Sequence, residues 1–150
     1  MPYVRIIIAI AALLVLAPDI VPAQPPQPGS DITISATQRA RLDAEVAQVP
    51  TDLRDRFERL YQDWKRAWRR FDISIRSNSA AVRDTEEFPR LVALGPQILP
   101  LVVAKLLDRD KFHALQLYDV LQERPELHAT NRFEGEQRRA LEAARRWLSR

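Results

Sequence analysis

Residues 94–108 read LGPQILPLVVAKLLD, which combines a helix-stop signal with a long aliphatic run. Gly95 suits the left-handed C-terminal cap of one helix, and Pro96 falls where the chain must turn before the next helix begins. From Ile98 to Leu107 the sequence is apolar on almost every side of a helix and is interrupted only by Lys105. A helix of that kind must be enclosed by other elements. The stretch therefore predicts a helix over 97–107 that forms the buried centre of the domain.

The same run could also form a buried strand, because short apolar segments occur in both kinds of structure. Pro100, however, would remove a hydrogen-bond donor from a central strand, whereas it fits the first turn of a helix or a kink. The chain has 3 glycines, and its β-branched residues cluster near the N terminus and around 98–103, which disfavours a sandwich or barrel. With 150 residues, 46% of them hydrophobic, one domain is expected. We predict an all-α fold, a compact bundle of about five to six helices.

The other predicted helices surround this centre. Apolar periodicity, N-cap residues and proline stops place them at about 35–48, 51–71, 85–94, 111–123 and 134–149. In the second of these, Thr51 is the expected N-cap and an aromatic-rich stripe runs from Leu53 to Phe71. We assign the stripe to core packing, with a ligand-binding wall as the alternative.

Residues 72–84 lack a period and are predicted to form a loop. The predicted core residues are Trp64, Trp68, Leu99, Val102, Leu106 and Leu117.

The first 23 residues differ in composition from the rest. A cation at Arg5 precedes an uncharged apolar run at 6–16, and Pro18 interrupts that run. Val21 and Ala23 then supply the small residues of a cleavage site. This order is typical of a secretory signal peptide cleaved after Ala23. An uncleaved membrane anchor is the alternative, but the run is shorter than the roughly 20 residues of a spanning helix. We expect a secreted protein, periplasmic in a Gram-negative bacterium, and the mass of its mature N terminus would test this.

The segment after the expected cleavage site predicts how the mature chain is organised. Residues 24–32 begin with a Pro-rich run and predict an extended linker, so the domain is expected to span 33–150. The chain has no cysteine, and its stability must come from packing rather than from disulfides. Its formal net charge of +3 is unchanged by removal of the signal peptide, which carries one cation and one anion. That excess is too small to indicate a nucleic-acid partner.

The sequence contains no recognisable catalytic or metal-binding pattern. Ser77 and Ser79 lack a neighbouring histidine base, an orienting carboxylate or a Gly-x-Ser-x-Gly elbow, and we interpret them as turn formers. His113 and His128 are interpreted as ordinary surface residues, because the chain has no cysteine and no carboxylate–histidine spacing of the metal-binding type. We therefore expect no cofactor and no bound metal.

Four cations near the end of the long predicted helix form the candidate partner-binding site. They are Lys65, Arg66, Arg69 and Arg70. We predict that they project opposite the aromatic stripe, and that the earlier turns of the helix are charge-balanced, so that the basic patch is local. The alternative is that these cations only complement the C-terminal end of the helix dipole. If they bind a ligand, that ligand is expected to present an anionic surface.

The segments ILPLVVAKLLD and ALQLYDVL, within residues 94–121, resemble a HEAT-type repeat. The first helix has Leu-Pro-Leu near its start and Leu-Leu-Asp at its end, and the second carries Ala and Leu on its inner side. The turn is shorter than in HEAT units, and no Arg matches the one that pairs with the turn aspartate. One such unit without an internal period indicates a compact helical domain rather than a solenoid. The resemblance implies that the ligand would be another protein.

These observations favour a small secreted, non-enzymatic protein-interaction domain whose partner is another protein, acidic if the four cations contact it. Two alternatives remain. The first is an anionic-surface binder for lipid head groups, an acidic glycan or nucleic acid. The second is a small hydrolase that uses dispersed carboxylates such as Glu86, Glu87 or Asp108, since such residues need not be close in sequence. Membrane contact is expected only through the N-terminal segment, if it is not cleaved.

Overall fold

The computed structural model of the chain describes residues 32–69, 79–108, 113–130 and 135–150. These ranges contain six α-helices and no strand, so the predicted all-α class is confirmed. The α-helices are α1 (Ala36–Gln48), α2 (Thr51–Trp68), α3 (Glu87–Val92), α4 (Leu99–Leu106), α5 (Ala114–Leu121) and α6 (Glu136–Leu148). Short 3-10 helices occupy Ser79–Asp84, Pro96–Ile98 and Pro125–Leu127. The expected signal peptide, and the expected linker up to residue 31, lie outside the described residues.

Helix α4 lies at the centre of the packing, as its sequence predicts. It contacts α1, α5 and α6. Val102, Val103 and Leu106 are completely inaccessible to solvent, because neighbouring helices cover α4 on several sides. The helix is shorter than the predicted 97–107, since residues 96–98 form a 3-10 turn that leads into it. Pro100 lies in the first turn of α4, where no backbone hydrogen bond is lost.

The connection between α3 and α4 differs in detail from the predicted left-handed cap. Gly95 has a φ of 79° and a ψ of 179°, so its φ is positive but its backbone is extended. The following Pro96 explains this, because a residue that precedes proline avoids helical values of ψ. The α3 turn is closed by the N–H of Gly95, which donates to the carbonyl oxygen of Val92 at 2.9 Å.

Helices α1 and α2 begin with different N-terminal caps. In α1 the Ser35 side chain accepts from the N–H of Gln38 at 3.2 Å, and the Gln38 side chain accepts from the N–H of Ser35 at 3.0 Å. In α2 the predicted N-cap, Thr51, is instead the first helical residue, because Pro50 has the extended ψ of 141° that a cap residue adopts. The Thr51 hydroxyl accepts a hydrogen bond from Arg54 at 2.9 Å.

The aromatic stripe of α2 packs into the core, as predicted. Phe57, Tyr61 and Trp64 are buried, and their rings follow one another at centroid distances of 5.5 and 5.6 Å. Trp64 is also 5.7 Å from the ring of Phe88 on α3, so the stripe joins these two helices. Trp68 is only partly buried, because it lies at the end of α2 beyond the most enclosed part of the core. The last predicted member of the stripe, Phe71, is outside the described residues.

The segment predicted as a loop at 72–84 is partly ordered into secondary structure. Its described part, Ser79–Asp84, forms a 3-10 helix. The indole N–H of Trp64 donates to the carbonyl oxygen of Val82 at 2.7 Å and attaches this turn to the core. Ser79 begins the 3-10 helix, whereas Ser77 lies outside the described residues.

The remaining predictions of core and helix ends are mostly confirmed. Val102, Leu106 and Leu117 are fully buried, whereas Leu99 is only partly buried because it begins α4 at the edge of the core. Helix α5 stops at Leu121 rather than at the predicted residue 123, since Gln122 is already extended. Within the described ranges, no helix is both long enough and apolar enough to cross a bilayer.

Candidate functional site

Three of the four predicted cations, Lys65, Arg66 and Arg69, are among the described residues, and they differ in exposure. Lys65 is half-buried, whereas Arg66 and Arg69 are exposed. At 3.6 residues per turn, Lys65 and Arg66 are about 100° apart, and Arg69 lies between them. Arg70, the fourth cation, is outside the described residues. Opposite the buried Trp64, Arg66 is near the middle of the solvent side of α2, and Lys65 is at the edge of that side.

Arg69 lies beside the partly buried indole of Trp68. The Arg69 guanidinium carbon is 5.7 Å from the centroid of the Trp68 ring, within the range of a cation–π contact. The centroid of the Trp68 ring is also 4.3 Å from the centroid of the His113 imidazole. In the part of the chain that the structure describes, the buried Nε1 of Trp68 has no hydrogen-bond partner. A tryptophan N–H that is buried usually finds such a partner.

Arg66 is compensated by a carboxylate from the preceding turn. It forms an ion pair with Asp63, three residues earlier on the same flank. This pair is exposed and contributes little to stability. It shows that the basic patch is less isolated than its sequence suggests.

A second basic feature lies in a cleft between α2 and α3, which includes Asp63, the ion-pair partner of Arg66. The cleft has a volume of about 330 Å³ and is lined by Arg56, Arg59, Leu60, Asp63, Arg90 and Ala93. We call it the arginine cleft. All three of its arginines are exposed. Within the described residues none of the three forms an ion pair or a side-chain hydrogen bond, and the one carboxylate of the cleft, Asp63, is paired with Arg66.

The early turns of α2 carry cations and anions in balance, as the sequence indicates, yet Arg56 and Arg59 line a common cleft. Asp55 and Glu58 line a different groove together with Arg54, whereas Asp63 lines the arginine cleft with Arg56 and Arg59. The third arginine, Arg90, comes from another helix. The three-residue spacing of Arg56 and Arg59 predicts a shared flank. Nothing in the sequence indicates that Arg90 joins them.

The groove lined by Asp55 and Glu58 is larger, about 450 Å³, and is shared by α1, α2 and α4. Lys105 lines it together with two other cations, Arg39 and Arg54. Its Nζ is 2.6 Å from Oε2 of Glu58 and 5.1 Å from the centroid of the Tyr61 ring. Burial, with smaller contributions from the negative charges of Glu58 and Asp108, raises the pKa of the Tyr61 hydroxyl above its usual range. The groove is therefore a mixed-charge surface in which Lys105 is paired with Glu58.

The carboxylates proposed for a hydrolase are not gathered in this groove. Asp108 is one of its lining residues, but Glu86 and Glu87 are not. Glu86 is exposed and Glu87 is half-buried at the start of α3. This groove therefore does not bring the three carboxylates together.

The two histidines are packed, which corrects their interpretation as ordinary surface residues. Burial lowers the pKa of His113, and the negative charge of Glu136 partly opposes this effect. His128 is bonded through both ring nitrogens, Nδ1 to Asp119 at 3.2 Å and Nε2 to the carbonyl oxygen of Gln122 at 2.9 Å. Among the described residues, no group of three or more His, Cys, Asp or Glu side chains is arranged to hold a metal ion.

Comparisons with protein-family models, with curated proteins and with solved structures found no match to this chain.

Proposed function

We propose that this chain is a small exported, non-catalytic binding domain whose partner is another protein with an acidic surface. The observation that carries the proposal is the solvent side of the second half of α2. There Arg69 lies beside the partly buried Trp68, and Lys65 and Arg66 flank it. Arg70 would extend this set along the chain. We call Lys65, Arg66 and Arg69 with Trp68 the α2 basic surface, and we propose Arg70, which lies outside the described residues, as its extension.

The composition of the α2 basic surface suits a protein partner. Tryptophan and arginine are the residues most enriched among those that dominate protein–protein binding energies. The Trp68 ring would supply apolar area, while the cations would steer an acidic partner and fix its orientation. The resemblance of residues 94–121 to a HEAT-type hairpin supports the same class of ligand. The expected signal peptide would place this encounter outside the cytoplasm.

The proposal can be tested with a fluorescein-labelled peptide of twenty glutamates, by fluorescence anisotropy. We expect its affinity to fall steeply between 50 and 300 mM NaCl while the thermal unfolding of the protein is unchanged, because the contact is exposed and screened by salt. Changing Arg66, Arg69 and Arg70 together to Gln should weaken binding about tenfold, since three exposed pairs contribute about 1.5 kcal/mol. Glutamine keeps the helix, because its helix propensity is close to that of arginine.

The matched control changes Arg39, Arg124 and Arg145 together to Gln, which removes the same charge from other exposed sites. Its affinity should remain close to that of the unchanged protein. Equal weakening in the two triple variants would show that only net charge matters and would contradict the proposal. Tighter binding to phosphatidylserine vesicles than to the peptide would reassign the α2 basic surface to membranes.

A further inference from the structure

We propose that the arginine cleft is a binding site for a phosphate group, held by Arg56, Arg59 and Arg90. This inference does not rest on the proposed function. The cleft lies between α2 and α3, and Lys65, Trp68 and Arg69 are not among its lining residues.

The three arginines converge because two packed helices supply them. Arg56 and Arg59 are three residues apart and therefore neighbours on one flank of α2. Arg90 lies on α3, which packs directly against α2. The aromatic contact between Trp64 and Phe88 holds the two helices together below the cleft. The backbone that carries the three side chains is thus fixed even though the side chains reach into solvent.

The arginine cleft carries an excess of positive charge, and its three arginines form no ion pair within the described residues. Arg56, Arg59 and Arg90 line a space of about 330 Å³ together with one acidic residue, Asp63, whose carboxylate is paired with Arg66. Like charges at short range repel one another, although exposure weakens the effect. An anion that bridges them would remove this repulsion and add charge-assisted hydrogen bonds.

The donor set favours phosphate over a carboxylate. Each guanidinium is a planar fork that matches phosphate oxygens in pairs, and arginine cannot lose its charge at physiological pH. A carboxylate has two oxygens and one charge, so it cannot form paired hydrogen bonds with three guanidinium groups at once. A phosphate monoester offers three acceptor oxygens and a charge of about −1.5 to −2. Leu60 and Ala93 also line the cleft and offer apolar contact for the carbon atoms of an ester.

The test is an NMR titration of the arginine Nε–Hε signals at pH 7.5 and constant ionic strength. The probes are inorganic phosphate, glycerol 2-phosphate and acetate. We expect saturable shifts of the Arg56, Arg59 and Arg90 signals with at least one of the two phosphates, and at least about tenfold weaker binding of acetate. A stronger response to glycerol 2-phosphate would assign the cleft to a phosphorylated molecule. A response to inorganic phosphate alone would assign it to the free ion.

Three variants make the test specific. Arg90→Gln should weaken phosphate binding about tenfold, because it removes the ligand from α3 while α2 stays unchanged. Arg145→Gln removes an exposed arginine on α6 and should have no effect. Arg69→Gln should also leave phosphate affinity unchanged, so this proposal and the proposed function can fail separately. Non-saturable shifts, equal binding of acetate, or full affinity in Arg90→Gln would overturn the inference.

Discussion

At the scale of single residues, Gly95 shows how backbone conformation restricts the side chain that a position can carry. Its φ of 79° with a ψ of 179° lies in a region of backbone space that is essentially accessible to glycine alone. The pair Gly95-Pro96 indicates this in sequence, because glycine tolerates a positive φ and the proline requires an extended ψ before it. The break between two helices is thus predictable from sequence, even though its backbone differs from the common left-handed cap.

We expect Gly95→Ala to lower the free energy of unfolding by about 1–3 kcal/mol. A Cβ at this position would be 2.7 Å from Oε1 of Gln97, but that flexible side chain can move away. The cost should therefore come from the backbone, and adding Gln97→Ala should not restore stability. Urea unfolding measures the effect.

The control is Gly135→Ala at the start of α6. Gly135 has a φ of −58°, and a Cβ there would meet nothing within 4 Å. Its substitution should change the free energy of unfolding by less than about 1 kcal/mol. Similar losses at the two glycines would contradict the assignment of strain to Gly95.

At the scale of elements, α2 shows which features of a helix can be predicted from sequence. Its periodicity predicts the core side correctly, from Phe57 to Trp64. The contacts of its charged side chains cannot be predicted in the same way, because their neighbours come from other helices. Glu58 is paired with Lys105 of α4, whereas Arg56 and Arg59 meet Arg90 of α3. Charge balance along the chain therefore says little about charge balance on a surface.

The contact between α2 and the start of α5 predicts a pH dependence of stability. His113 packs on Trp68, and burial lowers its pKa below the ordinary value of 6.5. As pH falls through 6.5, the unfolded chain takes up a proton before the folded one does. The contribution of neutral His113 is therefore present above pH 6.5 and is lost below it.

We expect His113→Phe to reduce this dependence, because phenylalanine keeps a ring against Trp68 but does not titrate. The measurement is the urea midpoint at pH 7.5 and at pH 5.5 for both proteins. The unchanged protein should lose more stability between the two pH values than the variant does. Identical losses would show that His113 is not the titrating group.

At the scale of the whole molecule, one apolar core holds the described helices together, and the chain has no cysteine that could form a disulfide. Buried residues from all six helices belong to a single cluster, and α4 contributes to it along its whole length. The helical class and the burial of α4 follow from the pattern of apolar residues. The helix ends and the arginine cleft do not, since they depend on contacts between segments that are distant in sequence.

The most direct test of this account is the free energy of unfolding of Leu106→Ala compared with Val120→Ala. Leu106 is fully buried in α4, whereas Val120 in α5 is 42% exposed. The first substitution should cost about 2–5 kcal/mol, because it removes buried methyl groups and leaves a cavity. The second should change stability by less than about 0.5 kcal/mol. A Leu106→Ala protein that unfolds at the same urea concentration as Val120→Ala would contradict the claim that the domain is built around α4.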